Sequence, residues 1–155
     1  MGLRDTFTGA VSGLLLERPF KNKDMAEIAQ VLDLAGGRLK HTFAAAKDNP
    51  DNRRLLSHIV GIECWGQSRL RVFLGAPFAR DEYDGYQPGT DLTLDEQRAL
   101  WCTTRAETIT LVHDLARRNV PADATVVHND FGPLTARGWL RYMDIHATLE
   151  SKKIR

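Results

Sequence analysis

The chain has 155 residues, enough for one domain of ordinary size that buries its own core without a disulfide or a structural metal. Its 21 basic and 20 acidic residues nearly cancel, which argues against the basic face that a broad nucleic-acid footprint needs. Cys64 and Cys102 lie far apart with no CxxC spacing, and no run approaches the ~18 apolar residues of a membrane span, so a soluble protein of a reducing cytoplasm is expected. The early stretch "GAVSGLLLERPF" is apolar for only a few residues. It lacks the basic lead and the cleavage site of a signal peptide.

From Asp24 to Lys47, Met25, Ile28, Ala29, Leu32, Ala35, Leu39 and Phe43 recur at three- and four-residue steps, which predicts a first helix. Gly36-Gly37 within it marks either a kink or a close backbone contact. Asn49 and Pro50 suit the cap and the first position of a second helix, running to about Leu74. Leu55, Ile59, Ile62, Val72 and Phe73 suit its buried stripe, and His58, Ile62 and Trp65 share a face. The connection "GAPFARDEYDGYQPGT" is long for neighbouring helices. It is either functional or a crossover to a distant helix start. Thr93 and Glu96 match a capping box that opens a third helix reaching about Arg118, with Leu100, Trp101, Ile109, Val112 and Leu115 as core candidates. Val126 and Val127 suit a short extended piece, and "NDFGP" is a turn signal. Thr135 then caps a fourth helix, with Leu134 packing on Trp139 as a hydrophobic staple. The fold class is therefore all-α: a single domain over residues 1–155, built as a four-helix bundle with a long crossover connection.

His58 lies on the second helix, and His146 and Glu150 share a face of the fourth. Bundle metal sites are built from such side chains on facing helices. Imidazole nitrogen and carboxylate oxygen both ligate zinc, nickel, iron or manganese. The i, i+4 spacing lets two ligands from one helix reach one ion, and three protein ligands leave positions open for water or substrate. The plainer alternatives are a boundary histidine at 58 and a solvated His146–Glu150 pair. Elsewhere, His113-Asp114 reads as an exposed polar pair or as support for the site. His128 reads as a turn histidine or as part of the site mouth. Glu63 reads as a surface or interhelical partner, and Cys64 and Cys102 as small core residues. Arg69, Arg71 and Arg80 are candidates for holding a substrate carboxylate.

"LLSHIVGIECWGQSRL" and "FGPLTARGWLRYMDIHATLESKKI" resemble the second and last helices of the DinB/YfiT-like superfamily. The likeness lies in a single His before an aromatic-bearing amphipathic run, and in a capping Thr, an aromatic-Leu pair, and a His with a second ligand position four residues on. The resemblance implies a four-helix bundle, a homodimer, and a divalent metal on three histidines, which map to His58, His146 and position 150. Position 150 is Glu here, so the site is either His2Glu or weakened. The resemblance also implies chemistry on a low-molecular-weight thiol or its conjugate, by a thiol S-transferase, an isomerase or a hydrolase. The alternative is a metal-poor binding or stress-response module. In the dimer that the resemblance implies, Trp65 or Trp101 would be an interface anchor; otherwise both are core.

Overall fold

The computed structural model describes residues 9–89 and 91–155; residues 1–8 and Thr90, the last residue of the long connection quoted above, lie outside that description. The chain is mostly helical. Its long helices are α1 (Met25–Ala44), α2 (Pro50–Phe73), α3 (Leu94–Arg117) and α4 (Ala136–Ser151). A two-stranded antiparallel sheet precedes α4, with β1 (Thr125–His128) paired to β2 (Gly132–Thr135) so that Val126 faces Leu134. Val126 and Val127 thus lie in a strand, as their β-branched side chains suggest.

Local chemistry sets the helix starts. The Asn49 side chain accepts from the Asn52 N–H at 2.8 Å, and Pro50 follows at the first helical position. Thr93 and Glu96 form the reciprocal capping box: Glu96 Oε2 accepts from the Thr93 N–H at 2.7 Å. Thr135 caps α4 through the Gly138 N–H at 3.1 Å. Helix α1 stops at Ala44, three residues before Lys47. Further on, Asn49, which precedes proline, is extended at φ −143° and ψ 163°. Gly36-Gly37 does not break α1. Gly36 is instead a point of close approach, where an added Cβ would lie 2.8 Å from Arg105 Cγ.

Helices α1 and α2 each pack against both α3 and α4. One apolar cluster gathers Trp65, Leu70, Leu111, Leu115, Trp139 and Met143. The other gathers Phe43, Leu56, Ile59 and Trp101. Leu55, Val72, Phe73, Leu100 and Ile109, expected in the core, are half-buried. Because α2 meets two helices, its buried face is broad: Ile59 and Ile62 are buried as expected, and Leu56, Val60 and Leu70 join them. Trp65 and Trp101 are both core residues, 2% and 1% exposed, so neither offers an anchor for a partner. Before α1, a π-helical turn (Gly13–Glu17) and a 3-10 turn (Arg18–Phe20) bury Leu16 and Phe20. Glu17 reaches the start of α4, where its carboxylate accepts from the Thr135 N–H at 2.8 Å and from the Thr135 hydroxyl at 2.5 Å. That places negative charge at a helix N-terminus, where the backbone dipole favours it.

A polar knot crosses the core. Arg105 of α3 donates to both oxygens of Glu63 on α2, at 2.8 and 3.2 Å, and to the Leu32 carbonyl of α1 at 3.0 Å. Its third contact is with Asp144 of α4, at 3.5 Å. Thr108 also donates to Glu63 at 2.8 Å. Glu63 is therefore the interhelical partner of the two readings above.

The connection from α2 to α3 lies along α2. Gly75 ends the helix at φ +102°, a left-handed value that glycine adopts without strain, and the Ala76 N–H closes on the Arg71 carbonyl at 3.0 Å. Asp81 pins the next stretch. It accepts from Arg69 at 2.7 Å, from the Trp65 indole at 3.1 Å and from the Tyr86 hydroxyl at 2.7 Å. Further on, Ser57 donates to the Pro88 carbonyl at 2.7 Å, and Gln87 packs where a Cβ on Gly61 would be. Between these two anchors sits a 3-10 turn, Tyr83–Tyr86. Among the described residues, no helix is long and apolar enough to cross a membrane.

Candidate metal centre

His58 projects from the third turn of α2, and His146 and Glu150 from the C-terminal half of α4. These two helices pack together, so residues 88 apart in sequence meet: the Nε2 atoms of His58 and His146 stand 3.1 Å apart. One ligand atom from each of His58, His146 and Glu150 lies within 4.8 Å of the others, and all three side chains are half-buried. The three residues singled out from spacing are thus brought together.

The imidazoles are held as bases. Burial lowers the pKa of His58, and the nearby Lys153 charge pushes it further down, against a pull upward from Glu150. His146 falls to about 4, mainly through burial and then through the charge of His58. Both are neutral at neutral pH, the form that binds a metal. For Glu150, burial works to raise the pKa, but the hydrogen bond and charge of Lys153, with His146 and His58, outweigh it and hold the group below its ordinary value. The site therefore offers two neutral imidazoles and one carboxylate. Two nitrogens bound to one tetrahedral zinc at 2.0–2.1 Å stand roughly 3.3 Å apart, close to the spacing found here. The donor set fits a divalent ion. One support is missing: His146 Nδ1 is buried with no partner among the described residues, whereas a metal-bound imidazole usually donates its second N–H to a neighbour.

Two phenol rings flank the imidazoles. Tyr83, on the pinned crossover, meets His58 edge-on with ring centroids 5.2 Å apart. Tyr142, one turn before His146, lies 6.0 Å from that ring. Burial, with Asp130 and Tyr83 nearby, pushes the Tyr142 phenol well above its ordinary value, so it keeps its proton. Lys153 closes the other side, with Nζ 2.8 Å from each oxygen of Glu150.

The remaining candidates lie elsewhere. His128 is buried at the end of β1 among Trp65, Phe131, Trp139 and Tyr142, and its Nδ1 accepts from the N–H groups of Asp130 and Phe131 at 3.0 and 3.3 Å, the turn role. His113 is exposed, and Asp114 pairs with Arg117 rather than with the site. Arg69 is 1% exposed and committed to Asp81, so it cannot serve as a surface anchor for substrate. Arg71 pairs with Glu107 at 2.9 Å, and Arg80 is exposed. Cys64 and Cys102 are free and half-buried at the edge of the second apolar cluster, and burial raises the Cys64 thiol. Sequence spacing missed Tyr83, Tyr142 and Lys153. Tyr142, at i−4 from His146, and Lys153, at i+3 from Glu150, each left a signal in the spacing, and Tyr83 left none.

Comparison with known protein families, with curated proteins and with solved structures finds no match for this chain.

Proposed function

We propose that this chain is a DinB/YfiT-like four-helix bundle that holds one divalent metal at His58, His146 and Glu150 and acts on a low-molecular-weight thiol or its conjugate, as an S-transferase would. The metal half of this reading is carried by one observation: three good ligands from two helices converge within 4.8 Å. The thiol half rests on the resemblance of the α2 and α4 segments. Zinc, nickel, iron and manganese all accept two imidazoles and a carboxylate. A coordinated thiol would be deprotonated by the ion, and thiolate is the nucleophile in sulfur transfer. Tyr83 and Tyr142 would wall the substrate side. A homodimer belongs to this reading. Since Trp65 and Trp101 are buried, its contact surface would use other residues.

A second reading has support of its own. The unpartnered His146 Nδ1 and the Lys153 clamp on Glu150 both favour a metal-poor bundle that works as a binding or stress-response module.

Elemental analysis decides between them, on untagged protein dialysed against a trace of chelator after loading with zinc, nickel or manganese. The metal reading expects close to one ion per chain in wild type, none in His146→Ala, markedly less in Glu150→Gln, and retention in Glu150→His. Metal only in Glu150→His would select the second reading. For the thiol, a cobalt-loaded protein titrated with a small thiol should develop a sulfur-to-cobalt charge-transfer band. A cobalt spectrum that ignores the thiol would remove the S-transferase reading while leaving the metal in place.

A further inference from the structure

Glu150 already has a cation. Both of its oxygens accept from Lys153 Nζ at 2.8 Å, and among the described residues no other cationic side chain pairs with it. The two partners differ in freedom. Glu150 is fixed on the last turn of α4 with its side chain 19% exposed, whereas Lys153 lies just beyond the helix with its side chain 65% exposed. The lysine can turn out into water at small loss, because exposed pairs of this kind are weak. The carboxylate has less room to leave. The ammonium leaves each oxygen a further lone pair, so a metal on Glu150 competes with it through charge: the ion meets a like charge at close range until the lysine moves.

We infer that Lys153 is an internal competitor for the metal: its ammonium holds Glu150 in place beside His58 and His146 and is displaced when an ion binds. This rests on the metal reading above and adds a regulating residue to it. The ion pair keeps the carboxylate aimed at the imidazoles without an ion, and it sets a threshold of free metal below which the site stays closed. Displacement also leaves a free ammonium at the rim of the loaded site.

The test is calorimetric titration of untagged, metal-stripped protein with zinc and, separately, with cobalt. Wild type, Lys153→Met, Lys153→Arg, Lys152→Met and His146→Ala are compared. Lys152 is the control for general charge, being exposed and next to Lys153 in sequence. Lys153→Met should bind about fivefold more tightly than wild type, the size expected for losing one exposed ion pair. Lys153→Arg, which keeps the cation, should stay close to wild type, as should Lys152→Met. His146→Ala should bind nothing. Equal affinity in wild type and Lys153→Met, with His146→Ala silent, would overturn the competitor role and leave the metal site standing. Equal tightening by Lys152→Met would overturn it too, by tracing the effect to overall charge. Absence of binding in every protein, Lys153→Met included, would remove the metal reading and this inference with it.

Discussion

Two amide N–H groups, from Asp130 and Phe131, point at Nδ1 of His128, so its proton belongs on Nε2, among the rings of Trp65, Trp139 and Tyr142. A charge there would lose its water and gain no acceptor, since Nε2 has no partner among the described residues. Burial first, and the Arg69 charge second, lower this histidine from 6.5 to about 4. An unfolded chain therefore takes up the proton before the folded one does. The stability held above pH 6.5 drains away as the pH falls toward 4, by something on the order of 3 kcal/mol for this group. His146, also lowered to about 4, drains in the same direction. Urea unfolding between pH 7.5 and 4.5 should show the loss, and His128→Asn should lose only about half as much while starting less stable. Parallel curves for the two proteins would show that His128 does not titrate in this way. The contrast between these histidines bears on what a sequence can reveal. His146 and Glu150 were legible because four residues on a helix share a face whatever lies opposite. Lys153, three residues after Glu150, was legible in the same way, whereas Tyr83 was not, because its relation to the site arises only once the crossover is in place.

Helix starts were the most legible elements. Asn49, Thr93 and Thr135 act on N–H groups within three residues, so nothing distant has to be known. The role of the crossover was not legible, since its path depends on two contacts with α2 from opposite ends. Gly61 is one of them: a Cβ there would lie 2.5 Å from Gln87 Cγ and 3.1 Å from Gln87 Cα. The backbone cannot yield as a side-chain tip would, so Gly61→Ala should force the crossover away from α2. The expected loss is about 1–3 kcal/mol, as for other overpacked contacts. Gly37→Ala is the matching control. It meets nothing within 4 Å in the middle of α1 and should stabilise by roughly 0.5–1 kcal/mol. Chemical denaturation of both variants checks the pair. A Gly61→Ala protein as stable as wild type would mean that the crossover is not held against α2.

Across the whole molecule, the apolar periodicity announced a mostly helical chain, but not what joins its helices. Arg105, Glu63 and Asp144 interrupt apolar stripes on three different helices, and sequence alone gives no way to match them. Arg105→Met would remove one cation and leave two buried carboxylates facing each other. Broken buried pairs cost about 3–5 kcal/mol, and Asp144, whose pKa burial already raises against the pull of Arg105 and Arg141, should then take up a proton more readily. Denaturation at neutral and at mildly acidic pH checks this: the variant should be much weaker at pH 7 and recover part of the gap near pH 5. A loss that is the same at both would assign the effect to packing. The guanidinium has one further consequence, for motion. It touches α1 through a carbonyl, α2 through two oxygens and α4 through Asp144, while belonging to α3. No helix can peel away alone without breaking at least one contact of that buried charge. Slowly exchanging amide protons from all four helices should therefore share one opening free energy, rather than sorting into a weak helix and a strong one. Arg105→Met should split that single class and let at least one helix exchange on its own.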